Sequence, residues 1–121
     1  MAATTDIAIN NQAAVSKTFT PTIQVKDGYE YRETSSPAFA PMTLRVTHVI
    51  ASPSSSSNTK AGVRFQKVAL NSASQVRTGY IDVTISVPKD GMVAADVSDL
   101  GAFVRNFLTD ARINDLILGK Y

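Results

Sequence analysis

Residues 79–88 alternate apolar and polar side chains without interruption. The apolar residues are all β-branched: Ile81, Val83, Ile85 and Val87. The polar residues between them carry aromatic, carboxylate and hydroxyl groups: Tyr80, Asp82, Thr84 and Ser86. A period of two predicts a β-strand with one buried side and one solvent-facing side, and Pro88 ends it because proline has no amide hydrogen to donate. We expect this strand to be central in the sheet and its polar side to be the candidate binding surface.

Shorter alternating patterns predict an antiparallel β-sheet over residues 28–88. Residues 28–34 carry charged side chains and suit an edge strand, because charges discourage pairing with other chains. Residues 42–51 and 60–70 predict two further strands, and the serine-rich segment between them predicts a turn.

Three local features refine this sheet. Residues 1–20 predict a β-hairpin that turns at Asn10 and Asn11, since asparagine tolerates positive φ. The alternation slips at Lys67, so we predict a β-bulge that returns Val68 to the buried side. Gly79 predicts a bend or the close approach of another backbone.

The period changes in the last third of the chain, where residues 96–118 predict two short helices, or one helix kinked near Thr109. Asp96 is a candidate N-cap, and Gly119 is a candidate stop. The apolar stripe of the first helix recurs every three or four residues and consists of Leu100, Phe103, Val104, Phe107, Leu108 and Ala111. The predicted class is therefore α+β.

Composition supports a single domain over residues 1–121 and excludes several kinds of site. The chain has no cysteine and one histidine, so disulfides, thiolate metal sites and multi-histidine sites are excluded. His48 alternates with Leu44 and Val46, which predicts a place in the core or at an interface. We expect neither a metal nor a cofactor. With a net charge of +2, any binding of nucleic acid depends on where the cations lie.

The sequence shows neither a signal peptide nor a run of about 20 apolar residues, so it predicts a protein of the cytosol. A sheet with two faces and only two short helices leaves apolar surface without cover. We therefore expect an intertwined homodimer with two-fold symmetry. The residues expected at its interface are Leu100, Phe103, Val104, Phe107 and Leu108.

The order of these elements, with local matches over residues 60–66 and 77–88, resembles the coat proteins of the single-stranded RNA bacteriophages, the leviviruses. The resemblance covers nearly the whole chain. It implies a dimer whose two sheets join into one, with helices clasping the partner. Many such dimers would close an icosahedral capsid, assembled in the cytoplasm of a bacterial host. It also implies that the inward sheet face binds a stem-loop of the single-stranded genomic RNA and represses translation, without membrane contact.

The resemblance also assigns roles to residues on the polar side of the strands. It implies that Tyr80 stacks on an unpaired base and that Thr47 lines an adenine pocket. Asp82 stands where better-known members have asparagine, and Gly62 stands where they have threonine. The implied RNA-binding set, in which the three cations meet phosphates, is Arg45, Thr47, Lys60, Arg64, Gln66, Tyr80, Asp82 and Thr84.

Two other function classes stay open on the sequence. One is a dimeric α+β module or enzyme that binds a small ligand between sheet and helices, using a tyrosine or the pair of His48 and Asp82. The alternation places these two residues on opposite sides of the sheet, and the sequence has no glycine-rich phosphate loop and no nucleophile with its base, so we expect no enzyme activity. The other is an RNA-binding dimer that does not assemble, and particle formation separates it from a coat protein.

Overall fold

The computed structural model describes residues 5–49, 58–88 and 90–120. They form six β-strands followed by two α-helices: β1 (Ile7–Asn10), β2 (Ser16–Val25), β3 (Gly28–Glu33), β4 (Met42–Val49), β5 (Thr59–Leu70), β6 (Val76–Val87), α1 (Ala94–Phe107) and α2 (Asp110–Ile117). The strands make one antiparallel sheet in the order of the chain. This confirms the predicted α+β class, with its hairpin, antiparallel sheet and two C-terminal helices. Most of the serine-rich turn lies outside the described residues.

The positions of two strands within the sheet differ from the prediction. β3 lies between β2 and β4 and is not an edge strand, whereas β6, predicted to be central, forms one edge. Both errors have the same cause. Alternation shows that a strand has two unlike faces, but it does not show whether the strand has a neighbour on each side.

The predicted β-bulge at Lys67 is wrong, because β5 pairs with β4 and with β6 in an unbroken register. A bulge in a strand that has two neighbours would disrupt two ladders of hydrogen bonds at once. Val68 therefore stays on the polar side. The register shifts instead in β2, between Pro21 and Ile23, where proline has no amide hydrogen to donate.

The close backbone approach predicted at Gly79 occurs at Gly28 instead. A Cβ atom on Gly79 would meet no atom within 4 Å. A Cβ atom on Gly28 would overlap the carbonyl oxygen of Val46 on the neighbouring strand. Glycine is therefore required where β3 enters the sheet.

The turns at Asn11 and Asn71 are built alike. The Asn11 side chain accepts hydrogen bonds from the amides of Ala13 and Val15, each at 3.0 Å. The Asn71 side chain accepts them from the amides of Ala73 and Gln75, each at 2.9 Å. Positive φ falls on Ala14 and Ser74, at 60° and 59°. The turn prediction is confirmed at the first hairpin, but asparagine acts there by accepting hydrogen bonds and does not itself adopt positive φ.

Few side chains are buried in the single chain. Among the described residues the buried hydrophobic side chains are Phe19, Tyr31 and Leu44, contributed by β2, β3 and β4. The predicted apolar side of β6 is largely uncovered, since Ile81 is 51% exposed and Ile85 is 46% exposed. The core thus lies in the middle of the sheet and does not extend to β6.

The two helices begin and end at identifiable residues. The N-cap of α1 is Val93, and Asp96 is its third residue, where its carboxylate accepts a hydrogen bond from the Val93 amide at 3.2 Å. The prediction of Asp96 as the N-cap is therefore wrong, because the helix begins one turn earlier. The predicted break near Thr109 is confirmed, since the Thr109 hydroxyl caps α2 by accepting a hydrogen bond from Arg112. Gly119 ends the chain's helices with a φ of 71°, as predicted.

Neither helix contributes a buried residue, and the extensive contacts between elements all join neighbouring strands. The helices therefore do not cover the sheet of their own chain. Within the described ranges, neither helix has the length and apolar run that crossing a membrane requires.

Glu33 at the end of β3 is a buried carboxylate, 4% exposed, whose partner is the Ser35 hydroxyl at 2.7 Å. This hydrogen bond lowers the pKa of Glu33 from its ordinary value of 4.5. A carboxyl group with a lowered pKa contributes stability that is present above its unfolded-state pKa and is lost as the pH falls through its folded-state pKa. We therefore expect the urea midpoint of the wild type to decrease as the pH is lowered below about 5. Ser35→Ala should weaken that dependence, and an equal dependence in both proteins would contradict the assignment.

Candidate nucleic-acid interface

The strand register brings polar residues of β4, β5 and β6 into rows across one side of the sheet. Directly paired residues of neighbouring strands lie on the same side. The rows are Thr43–Gln66–Tyr80, Arg45–Arg64–Asp82, Thr47–Gly62–Thr84 and Val49–Lys60–Ser86. We call the surface of these twelve residues the polar face. All eight residues of the candidate RNA-binding set lie on it.

The middle of the polar face is an ion pair stacked on an aromatic ring. Arg64 Nε lies 2.6 Å from Asp82 Oδ1, and Arg64 Nη2 lies 2.8 Å from Asp82 Oδ2. The guanidinium carbon of Arg64 lies 4.3 Å from the centre of the Tyr80 ring. These hydrogen bonds lower the pKa of Asp82 and raise the pKa of Arg64. Arg64 is therefore held by a carboxylate and by a ring of its own chain.

Arg45 is also paired with a carboxylate, because its Nε and Nη2 donate to Glu30 Oε2 of β3 at 3.2 and 2.7 Å. Sequence reasoning missed Glu30, because it lies 15 residues before Arg45 and only the register of β3 with β4 places the two side by side. Lys60, by contrast, makes no ion pair with any residue that the structure describes. Of the three cations in the candidate set, Lys60 alone is thus unneutralised within the described chain.

A shallow depression crosses the polar face at Gly62. Because glycine has no side chain, the row between Thr47 and Thr84 is open at its middle. A cavity of about 320 Å³ extends from this point towards Arg64, and another of about 310 Å³ extends towards Lys60. Strand residues line both cavities, the turn between β2 and β3 contributes to the second one only, and no helix residue lines either. The polar face is therefore open to a ligand.

The opposite side of the sheet is apolar. On β5 and β6 it includes Val63, Phe65, Ile81, Val83 and Ile85, which alternate with the residues of the polar face. His48 lies on this side with Leu44, as its alternation indicates, but it is exposed. Of the two places predicted for His48, the core is therefore wrong, because neither helix covers this end of β4, and the interface stays a prediction. His48 and Asp82 lie on opposite sides of the sheet, which excludes the joint site considered for them.

The five helix residues predicted at a dimer interface are brought together on one surface without cover. Leu100, Phe103, Val104, Phe107 and Leu108 are between 36% and 66% exposed. A groove of about 580 Å³ separates α1 from β6, and Val83, Ile85, Leu100 and Val104 are among its lining residues. No cluster of His, Cys, Asp and Glu that could hold a metal ion occurs among the described residues.

No protein-family model and no curated protein matches this sequence, but solved structures match its fold. The virus-like particle of bacteriophage GQ-907 gives a TM-score of 0.75 at 18% identity, over 98% of this chain and 94% of that chain. The virus-like particle of Beihai levi-like virus 21 gives a TM-score of 0.69 at 11% identity, over 99% of this chain and 97% of that chain. The coat protein of bacteriophage EMS014 gives a TM-score of 0.65 at 14% identity, over 86% of this chain and 72% of that chain.

The chain has the fold of levi-like phage coat proteins. The resemblance expected from the order of its elements is thus confirmed at the level of the fold. Within this coat-protein fold, the single chain leaves two large surfaces uncovered, the polar face and the apolar surface formed by the helices and β6.

Proposed function

We propose that the chain is the coat protein of a single-stranded RNA bacteriophage. It dimerises, assembles into an icosahedral shell in the cytoplasm of its bacterial host, and binds the genomic RNA on the polar face inside the virion. The observation that carries this proposal is the coat-protein fold itself, which matches virus-like particles over nearly the whole chain. A structural role also agrees with the absence of a joint His48–Asp82 site.

The small core supports dimerisation. Three buried hydrophobic side chains among the described residues cannot offset the conformational entropy of ordering a chain of 121 residues. Much more apolar surface has to be removed from water before the fold is stable. The exposed helices and the exposed apolar side of β6 are the surfaces that can supply it.

The open edge of β6 indicates how the partner is arranged. β6 is 12 residues long, and no described strand pairs with its outer edge, so this edge can offer amide and carbonyl groups to another strand. Two copies of β6 that pair across a two-fold axis would join the two sheets into one and place the two polar faces side by side. Ile81 and Ile85 would then lie in the middle of the joined apolar side.

The helices complete this arrangement. They do not cover their own sheet, and their apolar residues adjoin the edge strand β6. Packing α1 and α2 on the apolar side of the partner's sheet would bury Phe103 and Phe107 together with that side. Each chain would then supply the cover that the other lacks.

The polar face supports binding of RNA by two kinds of contact. Lys60 is available to a phosphate, whereas Arg45 and Arg64 first have to leave Glu30 and Asp82. One side of the Tyr80 ring is occupied by Arg64, and the ring is 58% exposed, so a base can stack on its other side. A stem-loop with an unpaired base offers both contacts, and tight binding of one near a start codon would repress translation.

Electron microscopy of the protein purified from bacteria tests the proposal. We expect uniform spherical particles that contain host RNA, with absorbance skewed towards 260 nm. A dimer that binds RNA without forming particles would contradict the coat-protein assignment and favour the non-assembling RNA-binding module. A monomer by light scattering at micromolar concentration would contradict both.

The RNA contact is tested by two lysines of β5 that lie on opposite sides of the sheet. Lys60→Gln should weaken binding of a single-stranded RNA. It should also make the slope of the logarithm of the association constant against the logarithm of the salt concentration less negative by about 0.7, because one phosphate contact is lost. Lys67→Gln changes the net charge equally but on the apolar side, and should leave the slope unchanged. Filter binding at several salt concentrations measures both variants as dimers. Equal losses in the two variants would contradict a specific role for the polar face.

A further inference from the structure

The ion pair of Glu30 and Arg45 lies at the border of the polar face. Glu30 stands directly opposite Arg45 on the neighbouring strand, and its side chain is 27% exposed, against 50% for Arg45. Arg45 Nε and Nη2 both donate to Glu30 Oε2, so the carboxylate occupies one edge of the guanidinium group. Arginine offers the same pair of N–H groups to carboxylate and to phosphate oxygens. Glu30 therefore holds a place on Arg45 that an RNA phosphate would take.

The surroundings of Glu30 explain why its carboxylate turns to Arg45. The register shift in β2 places Ile23, which is 58% exposed, directly opposite Glu30, so β2 offers an apolar residue there and not a cation. The Thr22 hydroxyl donates to the backbone carbonyl of Glu30 at 3.2 Å and leaves the carboxylate free. Arg32, two residues along β3, donates instead to a backbone carbonyl of the following loop at 3.1 Å.

The pairing of β4 with β5 does not require charged residues in this row. Arg45 lies directly opposite Arg64, and like charges in that position destabilise a sheet. The rows on either side have uncharged residues on the same two strands: Thr43 with Gln66, and Thr47 with Gly62. Two adjacent arginines on an exposed surface instead suit a polyanion, because successive phosphates can contact both of them.

We propose that Glu30 competes with RNA phosphate for Arg45, and so limits how tightly the polar face binds RNA through phosphates alone. This inference rests on the proposed binding of RNA to that face. To bind a phosphate, Arg45 has to exchange a carboxylate oxygen for a phosphate oxygen, and the released carboxylate then repels the phosphate beside it. A contact that exchanges one anion for another adds little affinity. Lys60 differs, because it makes no ion pair with any described residue.

Glu30 tests this competition more directly than Asp82 does. Arg64 is held by the Tyr80 ring as well as by Asp82, so it would stay in place after loss of that carboxylate. Glu30 is the group that holds the Arg45 guanidinium. Where phosphates alone bind weakly, tight binding depends on contacts to bases, such as stacking on Tyr80.

The test is the affinity of Glu30→Gln for a single-stranded oligouridylate, measured by filter binding of the dimers at several salt concentrations. Glutamine keeps the length of the side chain and removes its charge. We expect the association constant to rise about threefold at low salt, because an exposed ion pair no longer has to be broken. The slope of its logarithm against the logarithm of the salt concentration should become more negative by about 0.7, since one further phosphate is contacted. Glu30→Thr, which cannot reach Arg45, should behave alike.

Asp27→Asn is the control for net charge. Asp27 lies in the turn between β2 and β3, lines the same cavity as Lys60, and makes no ion pair with a described residue. Asparagine tolerates the φ of 67° at this position. This variant should leave the salt slope unchanged. Adding Arg45→Gln to Glu30→Gln should abolish the gain, because no arginine is then released. Size-exclusion chromatography and the urea midpoint show whether each dimer is intact.

The outcomes separate this inference from the proposed function. Equal changes in Glu30→Gln and Asp27→Asn would overturn the competition and leave the coat-protein function intact. A gain that persists without Arg45, or a loss of affinity in Glu30→Gln and Glu30→Thr, would do the same. Failure of the wild type and of every variant to retain the oligouridylate would overturn the proposed RNA binding and this inference together.

Discussion

Replacement of Phe103 by serine is expected to remove the folded protein at micromolar concentration. Phe103 is 66% exposed in the single chain, and a polar substitution at an exposed position usually changes stability by less than about 0.5 kcal/mol. In the proposed dimer the same ring is buried against the partner's sheet. Truncating a buried phenylalanine costs about 3–5 kcal/mol, and the dimer contains two copies of the residue. The combined loss of about 6–10 kcal/mol is most or all of a total stability of about 5–15 kcal/mol.

Circular dichroism and light scattering measure this effect against a control on the same helix. Asp99→Ser changes an exposed polar residue of α1 and should leave the dimer intact. For the wild type, the urea midpoint should rise with protein concentration, since unfolding is then coupled to dissociation. A Phe103→Ser variant as stable as the wild type would contradict the dimer described here.

The second large effect is expected at Gly28, where the sheet has no space for a side chain. In Gly28→Ala the new Cβ atom would overlap the backbone carbonyl of Val46, which cannot move without breaking the pairing of β3 with β4. We expect a loss on the order of 3 kcal/mol in the free energy of unfolding, because overpacking against backbone is not relieved by a change of rotamer. For a fold with so small a core, that is a large share of its stability.

Gly79→Ala is the matched control, since it adds the same methyl group to a strand glycine around which the chain itself leaves open space. Its free energy of unfolding should stay within about 0.5 kcal/mol of the wild type. Urea denaturation at one fixed protein concentration compares the three proteins. Equal destabilisation by both alanines would show that loss of glycine, and not contact with Val46, is the cause.

Alternation alone was sufficient to predict the polar face. A side chain's side of the sheet depends on whether its position is odd or even along the strand, and the uninterrupted registers of β4, β5 and β6 preserve this property from one strand to the next. All eight candidate residues consequently lie on one side. The helices were likewise predictable, because their period and the capping residue Thr109 are local features.

What the sequence did not predict depends on distant parts of the chain or on a second chain. The Glu30–Arg45 ion pair requires the register of β3 against β4. The edge position of β6 and the exposure of His48 depend on which strands and helices pack against each other. Alternation does not show this, because a strand covered by its own helix and a strand covered by a partner's helix have the same pattern. The burial predicted for the apolar side of β6 is therefore not found within the single chain, where Ile81 and Ile85 are exposed.

The pairing of Arg45 and Arg64 with carboxylates has a consequence for how a genome would be held. A shell lined by such a surface is nearly neutral inside and can balance only a small part of the charge of the enclosed polyanion. Small cations from the host would have to enter with the nucleic acid and supply the rest. The volume of the shell, and not the charge of its lining, would then limit the length of genome that it can contain.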